Sequence, residues 1–251
     1  VRDIKALEYV FKNRRISKEI VAEFKIGYAP AGRQVLVDFL LNKGYSKKEI
    51  NMAGLLNRFG GDIFNDRMMI PLQDQNGETI GFTGRALKDE PNSPKYLNSP
   101  QTMLYDKSRH IFGLSQAKQS IRKNNYTVVV EGNMDVISSH QVGVKNVVAT
   151  AGTAMTTDHL KAISRYSSDI RLCFDADVAG VNATERAIIL AQSVGVDISI
   201  ITLNQSQGAA KEPDDLIQKS VDLWQKSIDN PLPAVDWVLG QYANKNDLST
   251  A

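Results

Sequence analysis

The sequence predicts an α/β protein in two unlike parts: a basic α+β subdomain, then a mostly parallel sheet flanked by helices. Three observations lead there. From residue 126 short apolar runs alternate with stretches of helical period, and ahead of them two apolar runs flank an Asn-Gly dipeptide. The charge also changes sign along the 251 residues. Residues 1–123 hold 21 Lys and Arg against 13 Asp and Glu, a net of +8, whereas residues 124–251 hold 9 against 15, a net of −6. A basic half can meet phosphates and an acidic half can collect metal ions, although solvated surfaces account for such charges equally well.

Taken in order, residues 1 to about 60 read as mainly helical, with Val35, Phe39 and Leu40 near helical spacing and Gly44, Gly54, Gly60 and Gly61 as punctuation. Arg67 to Leu72 and Glu78 to Arg85 flank Asp74-Gln75-Asn76-Gly77, a hairpin signal. Pro91, Pro94 and Pro100 make residues 88–100 an extended surface loop. Strands follow at Tyr126 to Val130, Asn146 to Ala149, Ile170 to Phe174 and Ile198 to Leu203, separated by helices near 134–142, 158–166 and 179–194. This βαβαβαβ succession calls for a parallel sheet with right-handed crossovers. Ala183, Ala187, Leu190 and Val194 share one face of the third helix, and Gly195 is placed to end it.

The 42% hydrophobic content suffices for real cores. No apolar run approaches the ~20 residues that cross a bilayer, and a signal-peptide pattern is missing, so a cytoplasmic location is expected. Cys173, the single cysteine, sits in an apolar run and is expected to pack in the core. His110, His140 and His159 lack metal-ligand spacing, and no zinc site is expected. A chain that begins with Val1 is expected to be an excised piece of a longer protein.

In an open parallel sheet, ligands bind beyond the carboxyl ends of the strands. Glu131 follows the first of these strands, Asp175 and Asp177 follow the third, and Asp135 lies four residues past Glu131. Lys211-Glu212-Pro213-Asp214-Asp215 adds oxygen ligands after the fourth. Magnesium takes a few carboxylates with water and substrate phosphate, which suits such a rim to phosphoryl transfer. Each pair has a plainer use as well: Asp175 and Asp177 are placed to cap the helix near 179, and Asp214 or Asp215 to start the next. Asp175-Ala176-Asp177-Val178 also resembles the nucleophile motif of haloacid-dehalogenase phosphatases, but that motif belongs on an early strand and here it follows two strand units.

Glu131-Gly132-Asn133-Met134-Asp135 and Asp175-Ala176-Asp177-Val178-Ala179-Gly180 resemble the two signatures of the Toprim domain of primases and topoisomerases. Lys211-Glu212-Pro213-Asp214-Asp215 is similar to the third acidic segment of the DnaG primases. In the basic half, Phe24 to Pro30, Arg67 to Pro71, Gly81 to Arg85 and Pro94 to Pro100 resemble DnaG segments too. The resemblance implies a basic primase-core subdomain over 1–123, a Toprim domain over 124–220 and the start of a C-terminal helical subdomain from 221 to 251. It implies synthesis of RNA primers on a single-stranded DNA template from ribonucleoside triphosphates, leaving an RNA–DNA hybrid, with Mg2+ or Mn2+ as cofactor. Asp175 and Asp177 would bind the metal, Glu131 would be an essential acid, and Asp135, Glu212 and Asp214 would complete the cluster. Arg14, Arg67, Arg85, Lys95 and Lys107 match the family's template and nucleotide contacts. A replicative helicase would dock on a C-terminal domain, and an N-terminal zinc-binding domain would precede the core; neither is in this chain. The sequence departs from the pattern at Asn133, usually aromatic, at Glu212, usually aspartate, and at Arg15, usually glycine. The alternatives are a noncatalytic single-stranded nucleic-acid-binding module and a Toprim nuclease or topoisomerase.

Overall fold

The computed structural model describes residues 4–88, 93–203 and 210–245, which form two compact units dividing after Lys107. Pro91, in the expected loop, lies outside the described residues. The division precedes the charge boundary at Lys123 because helix α5 (Leu114–Asn124) buries Leu114, Ala117 and Ile121 in the core of the second unit.

The first unit opens with α1 (Ile4–Glu8), a π-helical turn (Tyr9–Asn13), α2 (Lys18–Glu23) and strand β1 (Gly27–Ala29). Two short helices follow, α3 (Val35–Asn42) and α4 (Lys47–Met52). The expected hairpin forms as β2 (Arg67–Gln73) and β3 (Thr79–Ala86). Its turn is closed by Asp74, whose Oδ1 accepts the Asn76 and Glu78 N–H groups at 2.8 and 2.9 Å, the self-bonding that makes aspartate a turn residue. The segment read as a loop contributes β4 (Tyr96–Asn98), which pairs with β3, so the antiparallel order is β1-β2-β3-β4. Three-residue strands such as β1 and β4 are too short to show a period, which is why neither was expected.

The second unit is a mostly parallel sheet flanked by helices. Its strands are β5 (Thr127–Val130), β6 (Val147–Ala149), β7 (Asp169–Cys173) and β8 (Asp197–Ile200), all parallel, with the short antiparallel β9 (Leu232–Pro233) at the edge in the order β6-β5-β7-β8-β9. The crossovers are α6 (Asn133–Gln141), α7 (Thr157–Ser164) and α8 (Val178–Val194). Gly195 ends α8 in the left-handed region, at φ 71°, as its position predicted.

Period-2 geometry explains the layering. Val129, Ile170, Leu172 and Ile200 join α5, α7, α8 and Trp237 of α11 (Ala234–Lys245) in one cluster. Val128 and Val130 point the opposite way and are equally buried, so a second layer covers that side. Helix α6, which packs on β6, supplies it together with α9 (Pro213–Lys219) and α10 (Val221–Asp229), whose Trp224 is wholly buried. Residues 221–245 thus complete the second unit, adding an edge strand and two core tryptophans. Cys173 packs in this core. Among the described residues no helix is long and apolar enough to cross a membrane.

Candidate active site

The register of the parallel strands gathers the acids. Val130 lies beside Cys173, so the residues just past them emerge at one rim. There the Glu131 Oε1 accepts the Asp175 N–H at 3.0 Å, tying the end of β5 to the loop after β7. Asp177 caps α8 through its Oδ1 and the Gly180 N–H at 2.8 Å, the plainer use the sequence allowed for it, while its side chain stays exposed. Gly180 fits for want of space: a Cβ there would stand 2.0 Å from the Asp175 carbonyl oxygen. The motif segment contained this glycine, but only the close approach shows its use.

Asp135 and Asp214 lie deeper, each about 95% buried. Asp135 accepts the Gly132 N–H at 3.2 Å and the Asp214 N–H at 3.0 Å, and so joins the starts of α6 and α9. Asp214 Oδ1 accepts from the Ser138 hydroxyl at 2.6 Å and from the Gln218 amide at 3.2 Å. Ser138 and Gln218 drew no attention in the sequence because a serine and a glutamine on helices carry no signal of their own.

Electrostatics follow from this crowding. Burial, opposed by the Asp214 N–H bond and reinforced by Glu212, Asp175 and Asp214, pushes the Asp135 carboxyl up to about 7. Asp175 is pushed up to about 6, by burial first and then by Glu131, Glu212, Asp177 and Asp215. Asp215, read from the sequence as part of the third acidic segment or as the start of a helix, therefore belongs to the same field. Glu212 is exposed at the start of α9. Among the described residues no three carboxylate, imidazole or thiol side chains are grouped to hold a metal by themselves. The set fits a magnesium-like ion all the same, since such an ion keeps several waters and needs one or two carboxylates plus phosphate oxygens. Acids that repel one another are the donors a cation would relieve.

The predicted basic residues fall in the first unit and differ in environment. The π-helical turn sets Tyr9 and Arg14 on one side, with the Arg14 N–H bonded to the Tyr9 carbonyl at 2.9 Å. The Tyr9 hydroxyl then accepts from Arg14 Nε at 3.0 Å and from Arg85 Nε. The Arg85 guanidinium lies 4.9 Å from the Tyr96 ring centroid, and its buried Nη1 has no hydrogen-bond partner. Arg14 and Arg85 thus meet at the Tyr9 hydroxyl, which brings two guanidinium groups together. Arg67 is buried and donates to the Gly84 and Pro94 carbonyls at 3.1 and 2.9 Å and to the Ser93 hydroxyl at 2.9 Å, which holds the approach to β4 in place. Lys95 is exposed and Lys107 half-buried. His110, His140 and His159 are buried; His140 Nε2 lies 2.9 Å from the Val147 carbonyl, and His159 Nδ1 accepts the Thr156 N–H at 3.3 Å.

Residues 2–118 match the family of the DNA primase catalytic core, N-terminal domain, and residues 128–217 match the Toprim-like family. The DNA primase of Synechocystis sp. is 38% identical over 97% of this chain and 40% of its own length. The chain spans about two fifths of the curated relatives it matches. A solved DnaG primase catalytic domain bound to single-stranded DNA aligns with a TM-score of 0.85 at 31% identity, over 98% of this chain and 80% of that one. A DNA primase domain from Pseudomonas aeruginosa aligns with a TM-score of 0.84 at 34% identity, over 96% and 77%.

Proposed function

Because the chain belongs to the DnaG primase catalytic-core family, we propose that it carries the nucleotidyl-transfer centre of a DNA primase, which joins ribonucleotides into short primers on single-stranded DNA. The observation that carries this reading is the rim at the carboxyl end of the parallel sheet, where the Asp175 N–H is bonded to Glu131 and Asp175 is crowded by Glu131 and three further acids.

In the proposed reaction a 3′ hydroxyl attacks the α-phosphate of an incoming ribonucleoside triphosphate, and pyrophosphate leaves. Asp175 and Asp177 would hold Mg2+ or Mn2+ with Glu131 beside them, and Asp135, Glu212 and Asp214 would complete the acidic field. When bound, such an ion lowers the charge on the reacting oxygens. Glu131, with one oxygen fixed by the Asp175 N–H, keeps the other for a proton or a cation. The Asp135–Asp214 link holds α9, and with it Glu212, against α6. In the first unit, Arg14 and Arg85 supply fixed donors for phosphate oxygens, and Lys95 and Lys107 add charge for the template backbone or the nucleotide. Arg67 contributes by holding the segment that leads to β4. The product is an RNA–DNA hybrid. In the intact protein, a replicative helicase is the expected partner, through a C-terminal domain.

The test is incubation of the intact protein with single-stranded DNA, Mg2+ and labelled ribonucleotides, beside Asp175→Ala and Asp177→Ala. Short RNA products that vanish in both variants support the reading; undiminished synthesis in either sinks it. One rival is a noncatalytic single-strand-binding module, which the net charge of +8 over residues 1–123 favours. That rival predicts DNA binding without Mg2+ and no RNA product on any template.

A further inference from the structure

We propose that Ser138 is a positioning residue of the acidic rim: its hydroxyl holds Asp214 and so fixes the start of α9, with Glu212, for a cation bound beside Asp175. The inference rests on the reading of the rim as a metal-dependent centre, and it deepens that reading with a residue that no motif marks.

Helix α9 cannot place itself. Its seven residues are fewer than the ~12 that hold a helix in water, so tertiary ties decide where its first turn stands. Pro213, Leu216 and Ile217 are buried, but apolar contacts are not directional and leave a short helix free to turn or slide. Glu212 is exposed and one methylene longer than an aspartate, so the precision of its placement falls to its backbone.

Direction comes from α6. Asp135 and Ser138 are three residues apart, neighbours on one side of that helix. Asp135 accepts the Asp214 N–H at 3.0 Å, and Ser138 Oγ donates to Asp214 Oδ1 at 2.6 Å. The backbone and the side chain of Asp214 are thus each bonded to α6, which fixes the rotation of α9 as one bond alone would not. The length of 2.6 Å is that of a hydroxyl on a carboxylate, and Asp214 is about 95% buried, where such a bond is strong. Gln218 adds a bond of 3.2 Å to the same oxygen. Both donors are neutral, so they orient the carboxylate without cancelling the charge that draws a cation.

The neighbouring serine supplies the contrast. Ser139 Oγ donates to the Asp135 carbonyl at 2.6 Å, four residues back, the local bond of a serine inside a helix. Ser138 forgoes that bond and reaches a residue 76 positions along the chain. Alanine suits a helix interior better than serine, so the hydroxyl at 138 serves the contact rather than the helix. Groups that orient metal ligands from behind commonly set metal affinity by about tenfold or more.

Mn2+ binding to the intact protein is measured by calorimetry for wild type, Ser138→Ala, Ser138→Thr, Ser139→Ala and Asp175→Ala. Ser138→Ala should bind about tenfold more weakly, and Ser138→Thr, which keeps the hydroxyl, should restore the affinity. Ser139→Ala loses a hydroxyl bond of the same length and should bind as wild type does, which separates placement of the cation from a general loss of helix stability. Primer synthesis by Ser138→Ala should need about tenfold more Mg2+ for its half-maximal rate, yet approach the wild-type rate at saturating Mg2+. That split is expected of a residue that places the cation without touching the reacting atoms. Equal Mn2+ affinity of Ser138→Ala and wild type, beside a loss in Asp175→Ala, overturns this inference alone. So does equal weakening in Ser138→Ala and Ser139→Ala, which assigns the hydroxyl to folding stability. Undiminished binding in Asp175→Ala overturns the reading of the rim, and this inference with it.

Discussion

Asp135 offers a quantitative handle on the acidic cluster. Its carboxyl is pushed from 3.8 to about 7, first by burial and then by its acidic neighbours. A carboxyl whose pKa is higher in the folded state contributes stability that is full below the unfolded pKa and is lost as pH rises through the folded one. Between pH 5 and pH 7 the unfolded chain is already ionised here while the folded protein still holds the proton. Two pH units at about 1.4 kcal/mol each give a loss of about 3 kcal/mol across that window. Asp135→Asn removes the charge, keeps an oxygen for the Asp214 N–H, and turns its other polar atom, now a donor, towards the Gly132 N–H. The lost bond costs about 1–2 kcal/mol at every pH, whereas the relieved repulsion grows with pH. Urea unfolding at pH 5, 6, 7 and 8 without divalent cations should show wild-type stability falling by about 3 kcal/mol relative to Asp135→Asn. Parallel curves for the two proteins would refute the placement of an ionising, charge-crowded carboxylate between α6 and α9.

Two further substitutions separate structural from chemical roles. Asp177→Ala removes the cap of α8 and should lower stability by about 1 kcal/mol, whereas Asp175→Ala removes a repelled carboxylate and should not; thermal unfolding without Mg2+ compares them, and equal losses would count against the capping geometry. Tyr9→Phe deprives Arg14 and Arg85 of their shared acceptor and should cost about 1–3 kcal/mol, with weaker single-stranded DNA binding whose salt slope is also reduced; an unchanged denaturation midpoint would show that the hydroxyl holds neither arginine.

The second unit was the more legible part of the sequence, for a physical reason. Strands buried on both faces read as continuous apolar runs, such as Val128 to Val130, and amphipathic crossovers between them leave a helical period, so the succession from β5 to β8 and the end of α8 at Gly195 could be read directly. What stayed hidden was allegiance and contact. Helix α5 carries basic residues and reads with the basic half, yet its Leu114, Ala117 and Ile121 belong to the second core. The acids of the rim were legible as residues past strand ends. That Asp135 spends its oxygens on two backbone N–H groups was not, because Asp214 is 79 residues away in sequence. Arg14 and Arg85 were found through motif resemblance, but Tyr9, which joins them, lies in a π-helical turn that local propensity does not mark.

The most direct test of the acidic rim as the seat of the metal is Mn2+ binding, followed by electron paramagnetic resonance on wild type, Asp175→Ala and Asp177→Ala at pH 7.5 and pH 5. Wild type should bind at pH 7.5 and lose affinity at pH 5, where Asp175 and Asp135 take up protons, and each variant should bind at least tenfold more weakly at the higher pH. Equal Mn2+ affinity in all three proteins would place the metal elsewhere and contradict the assignment of the rim.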